Sequence, residues 1–154
     1  MTQFNTDHAA REAKPEPGNR IVRGLHNVGD LVYTEAMYEL VGTEAANDTI
    51  RICRNKPELN LIPHLTAVDA EDPGTAFVID VGDDADDDKY ADGIILSSGG
   101  TVLFSVNSCA QKVDPVISTD METQGEWIYA TVKTATSLTA GAQLRFRLVF
   151  SANS

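Results

Sequence analysis

Cysteine is scarce, with Cys53 and Cys109 the two in 154 residues. They stand far apart and lack the close pairing that zinc ribbons and thioredoxin-like redox sites use. Each lies beside a strand-like run, so two buried or half-buried thiols are expected, with a disulfide between them left open. Basic residues are few as well. Twelve Lys and Arg face 23 Asp and Glu, a net charge of −11, which repels phosphate backbones and anionic lipid and argues against direct nucleic-acid contact. No apolar run approaches the roughly eighteen residues that span a bilayer. Residues 1–20 lack the basic start and apolar middle of a secretory signal, so neither membrane insertion nor export is expected.

Catalytic templates are missing too. The sequence has no HExxH pair, no GxSxG elbow and no phosphate-cradling GxxxxGK[ST] loop. His8, His26 and His64 are scattered, and a Cys109/His64 dyad exists in composition only, as in any chain of this size. The carboxylates that glycoside hydrolysis would need converge in a cleft, whereas here they crowd one stretch. A non-enzymatic protein is therefore expected.

What is present is the texture of an all-β domain. Hydrophobic residues make up 42%, enough for one core at this length. From Ile21 onward, short runs rich in Val, Ile, Thr, Tyr and Phe alternate with turn residues. Leu31-Val32-Tyr33 and Ala36 to Val41 are the first strand candidates, with helix over Tyr33 to Leu40 as a competitor because Glu35, Ala36, Met37 and Glu39 favour it. Asp48 to Arg54 alternates, Ile50 and Ile52 on one face and Arg51 and Arg54 toward solvent. Pro63 to Val68 and Ala76 to Val81 read as a hairpin about Asp72-Pro73-Gly74. Thr101 to Val106 and Trp127 to Val132 follow, their aromatics assigned to the core. In Gln143 to Phe150, Leu144, Phe146, Leu148 and Phe150 share one face and Arg145 and Arg147 the other, the period of a half-buried antiparallel strand. Seven or eight such strands without long amphipathic helices predict an antiparallel β-sandwich or jelly roll over residues 21–154.

Residues 1–20 read differently. They mix polar residues with Pro15, Pro17 and Gly18 and show no apolar period, which predicts an extended N-terminal arm, with a helical turn over Thr6 to Lys14 as its one local alternative. Ordering each residue costs about 1–2 kcal/mol, so a partner is expected to order the arm. Thr2, Gln3, Phe4, Arg11, Lys14 and Arg20 are its candidate partner contacts. The other candidate site is the acidic run from Asp80 to Asp92, seven carboxylates in thirteen positions. Asp83, Asp84, Asp86, Asp87 and Asp88 are expected to form an exposed loop. Oxygen ligands at this density suit Ca²⁺, but the spacing is not that of an EF-hand, and a solvated turn with Asx-type bonds accounts for the same residues. Arg51, Arg54, Lys56, Arg145 and Arg147 are outward cations suited to blunting an edge or meeting an acidic neighbour.

Several segments in order carry a resemblance. Ala45 to Ile52 leads to Leu61-Ile62-Pro63-His64-Leu65. Phe77-Val78-Ile79 runs into Asp80-Val81-Gly82-Asp83, then Tyr90-Ala91-Asp92-Gly93. Trp127 to Val132 and Leu138 to Leu144 close the series. A strand, then D-x-G-D, then Tyr/Phe-Ala-Asp-Gly resembles small virion structural proteins of tailed bacteriophages, over Val41 to Phe150. The resemblance implies an oligomeric decoration or cement protein at the capsid surface, bound to the major capsid protein and passing through the host cytoplasm before assembly. The competing reading from the residues is a calcium- or carbohydrate-binding module of a tail or adhesion component; an enzyme comes last.

Overall fold

The structure, a computed structural model, describes residues 2–7, 31–55, 59–104 and 126–152. Ten strands run through them: β1 (Gln3–Asn5), β2 (Leu31–Glu39), β3 (Thr49–Asn55), β4 (Leu59–Leu61), β5 (Ala67–Ala70), β6 (Gly74–Gly82), β7 (Ala91–Ile95), β8 (Gly100–Leu103), β9 (Glu126–Leu138) and β10 (Gln143–Ala152). They form two sheets, β1-β3-β9-β6-β7 and β2-β10-β5-β8, with β4 added beside β10. Setting β1 and β4 aside and counting the others one to eight, the sheets read 2-7-4-5 and 1-8-3-6. That is the double Greek-key order of a jelly roll, so the all-β sandwich expected from the sequence is the fold found.

Alternation drives the packing. Leu144, Phe146, Leu148 and Phe150 of β10 face Ile50 and Ile52 of β3, Phe77, Ile79 and Val81 of β6, and Ile128, Ala130 and Val132 of β9 across one core. Each fully buried Phe or Leu contributes about 1.5–3 kcal/mol relative to exposure. A one-residue slip would turn every one of these side chains to solvent, and this fixes the register.

Several expectations need correction. The two runs at Leu31 and Ala36 are one strand. Its helix propensity loses to nine consecutive pairings with β10, from Leu31 with Ser151 to Glu39 with Gln143. Pro63 to Val68 is not a strand, because Pro63–Leu65 forms a 3-10 turn with Pro63 buried, and β5 begins at Ala67. Asp72-Pro73-Gly74 closes no hairpin: β5 pairs with β10 and β8, β6 with β9 and β7, so these residues carry the chain from one sheet to the other. β8 ends at Leu103, Phe104 follows it buried in the core, and Ser105 and Val106 lie outside the described residues. Arg145 and Arg147 guard no edge. Their strand is central, and they join an in-chain ladder with Glu35 and Asp69.

The first residues also depart from the arm expected. Gln3–Asn5 pair in parallel with Thr49, Ile50 and Arg51 of β3, and Thr6 is fully buried, its hydroxyl donating to the Ile52 carbonyl at 2.6 Å. Phe4 packs against the core with its ring 5.8 Å from that of Tyr38. Thr2, Gln3 and Phe4 are therefore ordered by their own chain. Arg11, Lys14 and Arg20 lie outside the described residues.

Candidate functional site

The acidic stretch spans the end of β6, the connection to β7 and the start of β7 itself. Alternation along Phe77, Ile79 and Val81 sends Asp80 to the outer face of its sheet, yet it is 1% exposed. Two irregularities of the sheet bury it. β9 carries one extra residue, Lys133, between the pairs Val78 with Thr134 and Ile79 with Val132. β7 carries two, Asp92 and Gly93, opposite Asp80. Such bulges redirect side chains: Asp80 accepts the Gly93 N–H at 2.8 Å and stands 2.8 Å from the Lys133 ammonium. Lys133 also meets Asp87 at 3.2 Å. Asp80 and then Asp87, by hydrogen bonding, hold that ammonium well above its ordinary range.

Asp83 corrects the expectation of a fully exposed loop. It is buried, and one carboxylate oxygen accepts the N–H groups of Ala85 and Asp86 at 3.0 and 3.1 Å. The other receives the Lys89 ammonium. This is an Asx turn locked by a cation, and Asp83 holds the loop rather than offering itself to a partner. Asp84, Asp86 and Asp87 are exposed as expected. Asp84 takes the Tyr129 hydroxyl, whose pKa rises through burial first and this bond second.

Asp86, Asp87 and Asp88 bring one carboxylate oxygen each within 4.8 Å of one another. A hydrogen bond with Asp86, desolvation and the charges of Asp86, Asp87 and Asp92 push the Asp88 carboxyl above its usual value. Three oxygens so placed are half or less of the six to eight that Ca²⁺ takes. The repulsion exists only while the carboxylates are ionised, above the raised pKa, and fades as pH falls through it. Asp88→Asn is therefore expected to stabilise the chain at pH 7 by a few tenths of a kcal/mol, the scale of exposed charge pairs. The gain should vanish near pH 3, read as the difference in Tm between the two proteins; an equal gain at both pH values would rule out charge as its cause.

Beside the loop, on the same outer face, Trp127 has two guanidinium groups over its ring, Arg54 4.4 Å and Arg51 5.0 Å from the ring centre. Arg51 also lies 6.0 Å from the Tyr129 ring. Trp127 is thus not part of the core, and the two arginines are occupied by aromatic faces rather than simply solvated. Sequence reasoning missed this grouping, although the signal was there: Arg51, Tyr129, Arg54 and Trp127 occupy outward positions of two strands that pair Arg51 with Tyr129 and Arg54 with Trp127. Lys56 lies outside the described residues, as does Cys109; Cys53 is buried.

The other sheet carries a shallow depression of about 290 Å³ lined by Asp69, Glu71, Thr101, Gln143 and Arg145. Its polar groups are engaged with one another. Asp69 accepts from Arg147 at 2.8 Å and from Thr101, and Glu71 accepts the Gln143 N–H at 3.3 Å. His64 is exposed on the 3-10 turn.

No protein-family model and no curated protein matches the chain. Solved structures do. The chain superposes on one from the capsid of Ralstonia phage GP4 with a TM-score of 0.69 and 16% identity, covering 99% of both chains. The fold is one found in phage capsids. A second match, in the cyanophage Pam1 capsid asymmetric unit, has a TM-score of 0.54 and 12% identity, covering 80% of this chain and 85% of the other. Among the described residues, no helix is long and apolar enough to cross a membrane.

Proposed function

We propose that this chain is a virion structural protein of a tailed phage that binds the capsid shell as a decoration or cement protein. The observation that carries the proposal is the end-to-end match to the Ralstonia phage capsid chain, 99% of each. A jelly roll of this size, with nothing large added, stands there as a chain of its own. The role fits a protein that binds and does not catalyse. Its exposed acids Asp84, Asp86, Asp87 and Asp88 form a rigidly held loop, suited to cationic patches on a neighbour, and its net charge of −11 keeps free copies soluble and apart before assembly. The major capsid protein is the proposed partner, with further copies of this chain beside it and no direct contact to nucleic acid. Arg11, Lys14 and Arg20 supply cations that could meet acids on the shell.

Co-sedimentation of the purified protein with assembled shells tests this reading. Saturable binding is expected, weakened about tenfold when Asp86, Asp87 and Asp88 are all replaced by Asn, and separately weakened when Arg11, Lys14 and Arg20 are replaced by Ala. Absence of binding by the unaltered chain, with and without calcium, would sink the proposal. The calcium- and carbohydrate-binding alternative draws on the clustered oxygens of Asp86, Asp87 and Asp88. Sugar binding abolished by a chelator, with shells ignored, would favour it instead.

A further inference from the structure

Arg51 is a cation that the fold leaves without a carboxylate. The chain holds 23 acidic residues against 12 basic ones, and Lys89, Lys133, Arg145 and Arg147 each meet an acid of their own: Asp83, Asp80 with Asp87, Glu35 and Asp69. Arg51 meets none among the described residues, although the acidic loop lies beside it. Its neighbours are aromatic instead. The guanidinium stands 5.0 Å from the centre of the half-buried Trp127 ring and 6.0 Å from that of the buried Tyr129. It donates to the Tyr129 oxygen, whose own hydroxyl hydrogen goes to Asp84. Its Nε is buried and has no hydrogen-bond partner.

For the free protein this arrangement is costly. A guanidinium taken partly out of water and paired with no anion loses hydration that nothing returns, and a buried N–H without an acceptor adds to the loss. What the arrangement provides is order. Arginine stacks on a ring with its face and binds acceptors with its edge, so the contacts with Trp127 and Tyr129 leave in-plane N–H groups for an acceptor from outside. Trp, Tyr and Arg held together in a partly desolvated cluster are also the residues in which interface energy concentrates. The acceptor that fits is a carboxylate rather than a phosphate. Asp84, Asp86 and Asp87 are exposed on the loop beside Arg51, and with a net charge of −11 they repel a polyanionic backbone or an anionic lipid surface. A single acid on a protein surface that also carries cations for the loop meets both ends of this face.

We infer that Arg51, set by Trp127 and Tyr129, anchors a protein-binding surface on the outer face of the β1-β3-β9-β6-β7 sheet, and that its ligand is an Asp or Glu side chain of the shell partner. The inference rests on the capsid reading above and adds the half of the contact that the acidic loop does not supply. The partner's bases face Asp84, Asp86 and Asp87, and its acid faces Arg51 through charge-assisted, bidentate bonds. Arg54, 4.4 Å from the Trp127 ring centre, places a second positive charge at the same end.

Arg51→Met supplies the test, because it keeps an unbranched stem beside Trp127 and removes the guanidinium. Co-sedimentation of this variant with assembled shells is expected to be about tenfold weaker than that of the unaltered chain, the scale of one lost charge-assisted bond. The Tm of the free variant is expected to be unchanged or higher, since an unpaired, partly desolvated charge has given way to an apolar group. Arg51→Lys, which keeps the charge without the planar fork, should restore only part of the binding. Shell binding by Arg51→Met equal to that of the unaltered chain would overturn the inference and leave the capsid reading standing. Weaker binding accompanied by a lower Tm would overturn it as well, by making Arg51 a structural residue. Binding of the unaltered chain to duplex DNA that disappears in Arg51→Met would assign the guanidinium to phosphate instead. If the unaltered chain ignores shells, the capsid reading itself falls and takes this inference with it.

Discussion

Replacing Glu44 by alanine is expected to destabilise the fold by about 4 kcal/mol, one of the largest single losses in the chain. Glu44 sits in the connection after β2 and is 5% exposed. One carboxylate oxygen accepts the Tyr38 hydroxyl at 2.7 Å and the Val41 N–H at 2.6 Å, and the other accepts the Gly42 N–H at 2.8 Å. Alanine leaves a buried hydroxyl and two backbone donors without their acceptor. Each orphaned group costs about 1–3 kcal/mol, less when a neighbour or water can replace the bond. Tyr38→Phe removes one donor and the need for it together, and should cost about 1 kcal/mol. Burial pushes the Glu44 carboxyl up, but the Tyr38 hydroxyl and the N–H groups of Val41, Glu44 and Gly42 outweigh it and hold its pKa below the ordinary carboxyl value. A depressed pKa means that this contribution is present above the ordinary carboxyl range and lost as pH falls through the lowered value. The gap between wild type and Glu44→Ala in urea unfolding should therefore be full at pH 7 and narrow below about pH 4, near the ordinary carboxyl pKa. A loss under about 1 kcal/mol at pH 7, no more than one ordinary hydrogen bond, would show that the loop re-forms without its acceptor.

The second large effect concerns a residue with no side chain. In Gly82→Ala the new methyl would lie 2.0 Å from the Asp86 carbonyl oxygen and 2.5 Å from the Asp87 carbonyl carbon. Both are backbone atoms, which cannot swing aside as a side chain would. The acidic loop must lift off β6, giving up the Asp83 N–H bond to the Asp86 carbonyl and loosening the Asx turn. A cost of about 3 kcal/mol is expected, at the upper end for overpacking. The substitution leaves the net charge at −11, so it separates the shape of the loop from its charge. If a held loop recognises the capsid shell, Gly82→Ala should weaken co-sedimentation as much as neutralising Asp86, Asp87 and Asp88 together. Unaltered binding would mean that charge alone suffices.

How much of this could be read in the sequence depended on where the partners lie. β10 was plain because Leu144, Phe146, Leu148 and Phe150 face one uninterrupted core, and the expected sandwich followed from several such runs. β9 extends from Glu126 to Leu138, well past Val132. Its second half, Lys133 to Ser137, shows no apolar alternation because it is held by backbone pairing with β6 rather than by burial. The Pro-Gly turn at Pro73 was legible as a turn, but a turn does not state whether the chain stays in its sheet. β1 was invisible because three residues carry no period and their partner is some 46 positions away. At the acidic loop the density of aspartates was evident, and their division was not. Asp83 and Asp80 are buried because Lys89, Lys133 and backbone N–H groups converge on them, and those N–H groups leave no mark in a sequence.

The jelly-roll order has a consequence for biosynthesis. The central strands β9 and β10 are the last of the ten to be made, yet β2 pairs with β10 and β3 pairs with β9, Leu31 meeting Ser151 and Thr49 meeting Thr131. While the ribosome is still short of residue 126, neither sheet has its middle, and strands β1 to β8 have little to pair with beyond the β1–β3, β6–β7 and β5–β8 contacts. Topologies dominated by such distant pairings fold in about milliseconds to seconds. The fold therefore closes as a unit once β10 has emerged, and what arrives at any assembly site is a finished domain rather than one built up in place.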